Sequence, residues 1–138
     1  MAQDPRARAT GKAGNGRFLA IPHSVLNSDA YRGLKGWGVR LLVDIAGQYN
    51  GKNNGDLCAA MTVMEPRGWK SNSSLGTALS ALLAAGLIEQ TRQGGRNRCS
   101  LYAVTWHSID DCGGKLDVRP TKAPSARYLN LAAMLKTH

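Results

Sequence analysis

SNSSLGTALSALLAAGLIEQTRQGGRNRCSLYAVTW, residues 71–106, is the stretch whose reading decides the fold. Ser71 or Asn72 can cap the first N–H groups of a helix. Leu75, Ala78, Leu79, Leu82 and Leu83 then fall at the i, i+3, i+4, i+7, i+8 spacing of an amphipathic helix. Gly86 stands where a left-handed residue closes such a helix. Two β-favouring runs follow, Leu87–Thr91 and Cys99–Trp106, and the second alternates Leu101, Ala103 and Thr105 against Tyr102, Val104 and Trp106. Between them, Arg92-Gln93-Gly94-Gly95-Arg96-Asn97-Arg98 lets the backbone reverse at its glycines and gathers three guanidinium groups at a protruding tip. A charged tip can simply keep a hairpin solvated. Directly after a capped helix, it points instead to an anionic partner.

Upstream, Ser28–Leu34 reads as a short capped helix. Gly36–Tyr49 reads as a longer one, with Trp37, Leu41, Ile45 and Tyr49 recurring about every fourth residue beside Val39, Leu42 and Ala46. That stripe predicts a core helix with Trp37 packed inside. Asn50-Gly51-Lys52-Asn53-Asn54-Gly55 breaks it, Asp56-Leu57-Cys58 can form a short strand beside the hairpin, and Ala59–Glu65 is a brief apolar helix ended by Pro66-Arg67-Gly68. The predicted order is helix, short strand, helix, turn, helix, hairpin.

The 138 residues suffice for one domain with its own core. Eighteen Lys plus Arg against nine Asp plus Glu leave a net charge of +9, which favours nucleic acid, an anionic membrane or an acidic protein as partner. No apolar run approaches the roughly 18 residues that span a bilayer, so a membrane is the weakest of the three. Met1–Arg17 carries about +3 without apolar periodicity and reads as a flexible basic arm. It lacks the apolar run of a secretory signal, so a cytoplasmic location is expected. Residues 18–106 carry about +4 and form the expected domain. The tail 107–138 carries about +2, with an extended linker at Pro120–Pro124 and a short terminal helix over Ser125–Leu135 that could pack back on the domain or join a second subunit.

Cys58, Cys99 and Cys112 are widely spaced, and no C-x-x-C pair suggests a disulfide framework or a zinc site. His23, His107 and His138 lie far apart in sequence and read as structural or surface residues. The chain contains no phosphate-cradling Gly-rich loop ending in Lys-Ser/Thr, no nucleophile elbow, no His-Glu-x-x-His and no close carboxylate pair, so neither enzyme nor cofactor chemistry is expected.

Four segments carry a resemblance: Ser28-Asp29-Ala30-Tyr31 with Leu34-Lys35, the turn Tyr49–Gly55, the helix exit from Ala78-Leu79 through Leu82 to Gly86-Leu87-Ile88, and the closing strand Tyr102–Trp106. Over about residues 18–128 the chain resembles small winged helix-turn-helix proteins encoded by phages, plasmids and integrated elements of proteobacteria. The resemblance implies an α+β fold, with a three-helix core and a C-terminal β-hairpin wing. The function it implies is duplex DNA binding in transcription regulation or replication.

With that fold, residues 69–74 form the turn and first residues of the helix that enters the major groove. Asn72 could read adenine or hold a phosphate, Ser71, Ser73 and Thr77 offer hydroxyls, and Lys70 adds one charge. The face opposite the leucine stripe has no arginine or glutamine, so the bidentate Arg-to-guanine contact is missing from it. Arg67, Lys70, Arg92, Arg96 and Arg98 would then supply most of the affinity through phosphates. Trp69 could touch a sugar or base, but packing at the helix junction is the preferred reading, and Trp106 is expected to be buried. The remaining expected partners are a second copy of the chain and an acidic host protein. The latter belongs to an alternative in which the scaffold inhibits a host nucleic-acid machine.

Overall fold

A computed structural model describes residues 16–130; most of the expected basic arm and the end of the expected terminal helix lie outside them. The fold is α+β. Pro22 leads into a four-residue helix, α1 (His23–Leu26). Helix α2 (Asp29–Arg32) starts at Ser28, whose hydroxyl accepts from the Tyr31 N–H at 3.2 Å and donates to the Val25 carbonyl at 2.6 Å. Helix α3 (Gly36–Ala46) buries Leu41, Leu42, Ile45 and Ala46. Strand β1 (Leu57–Cys58) and helix α4 (Met61–Met64) follow, and α4 runs into a 3₁₀ turn, Glu65–Arg67, that ends at a left-handed Gly68. Helix α5 (Asn72–Ala84) packs on α3 and turns at Gly86, φ 73°, into β2 (Ile88–Arg92), the hairpin loop and β3 (Leu101–Val104).

The strands form one antiparallel sheet in the order β1-β3-β2, so the last strand is central. Leu57 pairs with Tyr102 on one side of β3, and Ile88 pairs with Val104 on the other. All six residues from Leu101 to Trp106 are buried despite their alternation, so both faces of β3 are covered. Between Gln90 and Arg92 the register slips at Thr91. This bulge turns the buried Thr91 hydroxyl onto the Gly55 carbonyl.

Residues 107–130, expected as a tail, are hydrogen-bonded to this sheet and its loops. The Ala126 N–H donates to the Thr105 carbonyl, and the Asp117 N–H to that of Thr91, each at 2.8 Å. Arg127–Asn130 forms a 3₁₀ turn that buries Tyr128, whose hydroxyl meets Ser24 Oγ at 3.1 Å. Its backbone lies where a Cβ on Gly86 would come within 3.0 Å, so Gly86 serves both the helix exit and this docking. Asn54 ties the same region together from inside. Fully buried, it takes the Val104 N–H on its side-chain oxygen at 2.9 Å and donates to the carbonyls of Val104, His107 and Ser108.

Trp37 departs from its expected core position. It is the second residue of α3, in the first turn, and is 55 % exposed, its ring leaning on Trp69 with centroids 5.4 Å apart. Trp69 and Trp106 are buried as expected.

Candidate nucleic-acid interface

Two exposed surfaces carry the residues singled out by the sequence. The first is the start of α5. Ser71 caps it, its hydroxyl accepting from the Ser74 N–H at 3.2 Å. Lys70, Asn72, Ser73, Gly76, Thr77 and Ser80 are exposed, while Leu75, Ala78 and Leu82 are buried, so the polar face and the apolar stripe separate as the periodicity predicts.

Beneath that helix start lies a polar cluster centred on Asp44. This nearly buried carboxylate accepts from Arg67 Nε at 2.9 Å and from the indole N–H of Trp69 at 2.8 Å. Trp69 is thereby fixed as a buried plug between helices, and the alternative of a sugar or base contact falls away. Arg67, expected on phosphate, has its charge largely balanced by Asp44, although half its side chain remains exposed. Arg40 donates to the Arg67 carbonyl at 2.8 Å and lies over both Trp37 and Trp69, 5.5 and 5.2 Å from the ring centroids. Gly68 makes room for it, since a Cβ there would stand 2.5 Å from the Arg40 guanidinium. Asp44, Arg40 and the exposed Trp37 were missed as a unit. The available signal was one acidic residue between Leu41 and Ile45 on the buried side of α3.

Beside the polar face of α5 runs an apolar groove of about 570 Å³, lined among others by Ala30, Leu34, Trp37, Gly38, Thr77 and Ala81. Ser73 and Thr77, expected to face DNA, stand at its edge.

The second surface is the hairpin loop between β2 and β3, the expected wing. Gly95 and Arg98 exchange backbone hydrogen bonds at 2.8 and 3.2 Å around Arg96 and Asn97, with Asn97 at φ 60°. Gly94 is required by crowding. A Cβ there would lie 2.5 Å from the Ser100 nitrogen and 2.8 Å from the Arg98 carbonyl oxygen, whereas Gly95 faces open space.

The three arginines of this hairpin differ. Arg92 is folded back along the hairpin, donating through Nε and a terminal nitrogen to the Cys99 carbonyl at 3.2 and 2.8 Å. Arg98 lies 3.7 Å from Asp117, a residue of the segment after the domain that the sequence did not single out. Arg96 is exposed and makes no hydrogen bond or ion pair among the described residues.

Titratable groups elsewhere are shifted by their surroundings. Burial pushes the Cys58 and Cys112 thiols up, away from the thiolate form a nucleophile or metal ligand needs. Burial pushes His107, stacked on Tyr49 at 4.5 Å, down, with Asp110 opposing. Among the described residues no three His, Cys, Asp or Glu side chains cluster to hold a metal ion, and no helix is long and apolar enough to cross a membrane. No family model, curated protein or solved structure matches the chain.

Proposed function

We propose that this chain is a winged helix-turn-helix protein that binds double-stranded DNA in the cytoplasm as a transcription regulator or replication accessory of a mobile element. The fold half of the proposal rests on element order. Helix, strand, helix, helix and hairpin, with the first strand paired to the last in the order β1-β3-β2, is the arrangement a wing requires. The observation that carries the function is the guanidinium of Arg96, held out at a tight two-residue turn without an internal partner among the described residues. A cation presented in this way contributes little to the fold and is available to a phosphate.

Roles follow from geometry. Asn72, Ser73 and Thr77 would face the major groove, Lys70 and the helix N–H groups around the Ser71 cap would meet backbone, and Arg96 and Arg98 would grip a flanking phosphate. Arg67 and Arg92 would orient the two surfaces rather than contact DNA, because their guanidiniums are committed to Asp44 and to the Cys99 carbonyl. With no arginine on the reading face, affinity should exceed specificity. The expected result is retardation of random-sequence duplex at low salt, reversed by added salt. Absence of any retarded duplex at low salt would remove the proposal.

A second reading, an inhibitor of a host protein or nucleoprotein complex, is favoured by the apolar groove beside α5, whose Leu34, Trp37 and Ala81 lining offers nothing to a phosphate backbone. Co-purification of a stoichiometric host protein, together with no affinity for duplex, would select it.

A further inference from the structure

Asp117 reaches the wing from outside the helix–hairpin unit. Its N–H is anchored on the Thr91 carbonyl at the bulge, at 2.8 Å, which aims its carboxylate at the loop. One carboxylate oxygen accepts from the Gln93 N–H at 2.8 Å, and the other lies 3.7 Å from the Arg98 guanidinium. A backbone N–H and a guanidinium converging on two oxygens of one anion form a donor set that suits a phosphate as well as a carboxylate. Both side chains are about half exposed, 51 % and 52 %, so water screens the pair and it adds little to stability. Its larger consequence is electrostatic, because it offsets one of the two outward wing cations.

We propose that Arg98 and the Gln93 N–H form a phosphate site for the DNA backbone, and that the Asp117 carboxylate occupies this site in the free protein until a phosphate displaces it. The inference rests on the DNA-binding reading and adds to it a built-in competitor. Displacement costs the protein its internal pair at each binding event, so Asp117 lowers affinity and masks one phosphate contact.

The test is a fluorescence-anisotropy titration of a labelled random-sequence duplex at several salt concentrations. The proteins are the full chain, Asp117→Asn, Asp117→Ala, Arg98→Ala and the double variant Asp117→Asn with Arg98→Ala. Asn keeps an acceptor for the Gln93 N–H, and Ala removes it, so the two separate charge from local structure. The expected result is binding about three- to tenfold tighter for both Asp117 variants at low salt, a salt slope close to wild type because the same phosphate is contacted in each complex, and no gain when Arg98 is absent. Equal affinity for wild type and both Asp117 variants, or a gain that persists without Arg98, would overturn the competitor alone. A wild-type chain that binds no duplex at low salt would overturn the DNA-binding reading and the competitor with it.

Discussion

Two parts of this molecule use arginine in opposite ways. Under α5, Arg67 is bonded to a nearly buried Asp44, and Arg40 is spread over two tryptophan rings, so guanidiniums there hold helices together. At the hairpin tip, Arg96 projects from a two-residue turn with no internal partner among the described residues, and Arg98 has only a half-exposed carboxylate nearby. Both parts are equally basic on paper, since net charge counts each arginine alike. What separates them is whether an acceptor has already taken the donors. An arginine whose N–H groups are satisfied inside the fold contributes stability, and one presented to solvent contributes the capacity to bind an anion.

That contrast can be broken first at Asp44. Asp44→Ala would leave the buried Trp69 N–H without its acceptor and the half-exposed Arg67 guanidinium to solvent, and should cost about 1 to 3 kcal/mol, read as a lowered midpoint in chemical denaturation. A loss under 1 kcal/mol would mean that the cluster is ornamental. The wing's geometry is tested next. Gly94→Ala forces a Cβ against backbone atoms and should cost about 1 to 3 kcal/mol, while Gly95→Ala, facing open space, should stay within about 0.5 kcal/mol. Equal costs would show that the hairpin does not close as described.

A smaller effect sharpens the comparison by pH. Burial holds the His107 pKa below its ordinary value, so the unfolded chain takes up the proton first as pH falls. Stability should therefore be flat above about 6.5, the ordinary histidine value, and decline as pH drops through it. His107→Phe, which keeps a ring for Tyr49 to stack on, should remove that part of the decline. An unchanged profile in the variant would place the linked proton elsewhere.

Much of the fold was legible because local chemistry and global packing agree. Ser28 and Ser71 cap the helices they precede, Gly86 takes the left-handed turn, and the leucines of α5 face inward. What stayed hidden depends on partners distant in sequence. Asp44 meets Arg67 and Trp69 across 23 and 25 residues, and nothing local to any of the three announces the cluster. Trp37 fits the apolar stripe by spacing, yet it stays exposed in the first turn of α3, because periodicity assigns a face but not how far along the helix that face is covered. The segment after Trp106 has little periodicity of its own and is ordered by backbone bonds to Thr91 and Thr105 and by the buried Asn54 and Tyr128. Hence Asp117 could not be placed beside Arg98 from sequence. Of the site, the wing tip and the polar start of α5 were readable; which arginines remain available to a partner was not.

If the proposed function holds, exposed hairpin arginine rather than basic composition binds the duplex. The decisive measurement is salt-dependent duplex binding of Arg96→Ala set beside Arg67→Ala, with thermal stability read on the same samples. Arg96→Ala is expected to keep wild-type stability and lose affinity, with a salt slope lower by about one, while Arg67→Ala loses stability and, when folded, retains wild-type affinity. Equal loss of affinity in both variants, or no duplex binding by the wild-type chain, would contradict that proposal.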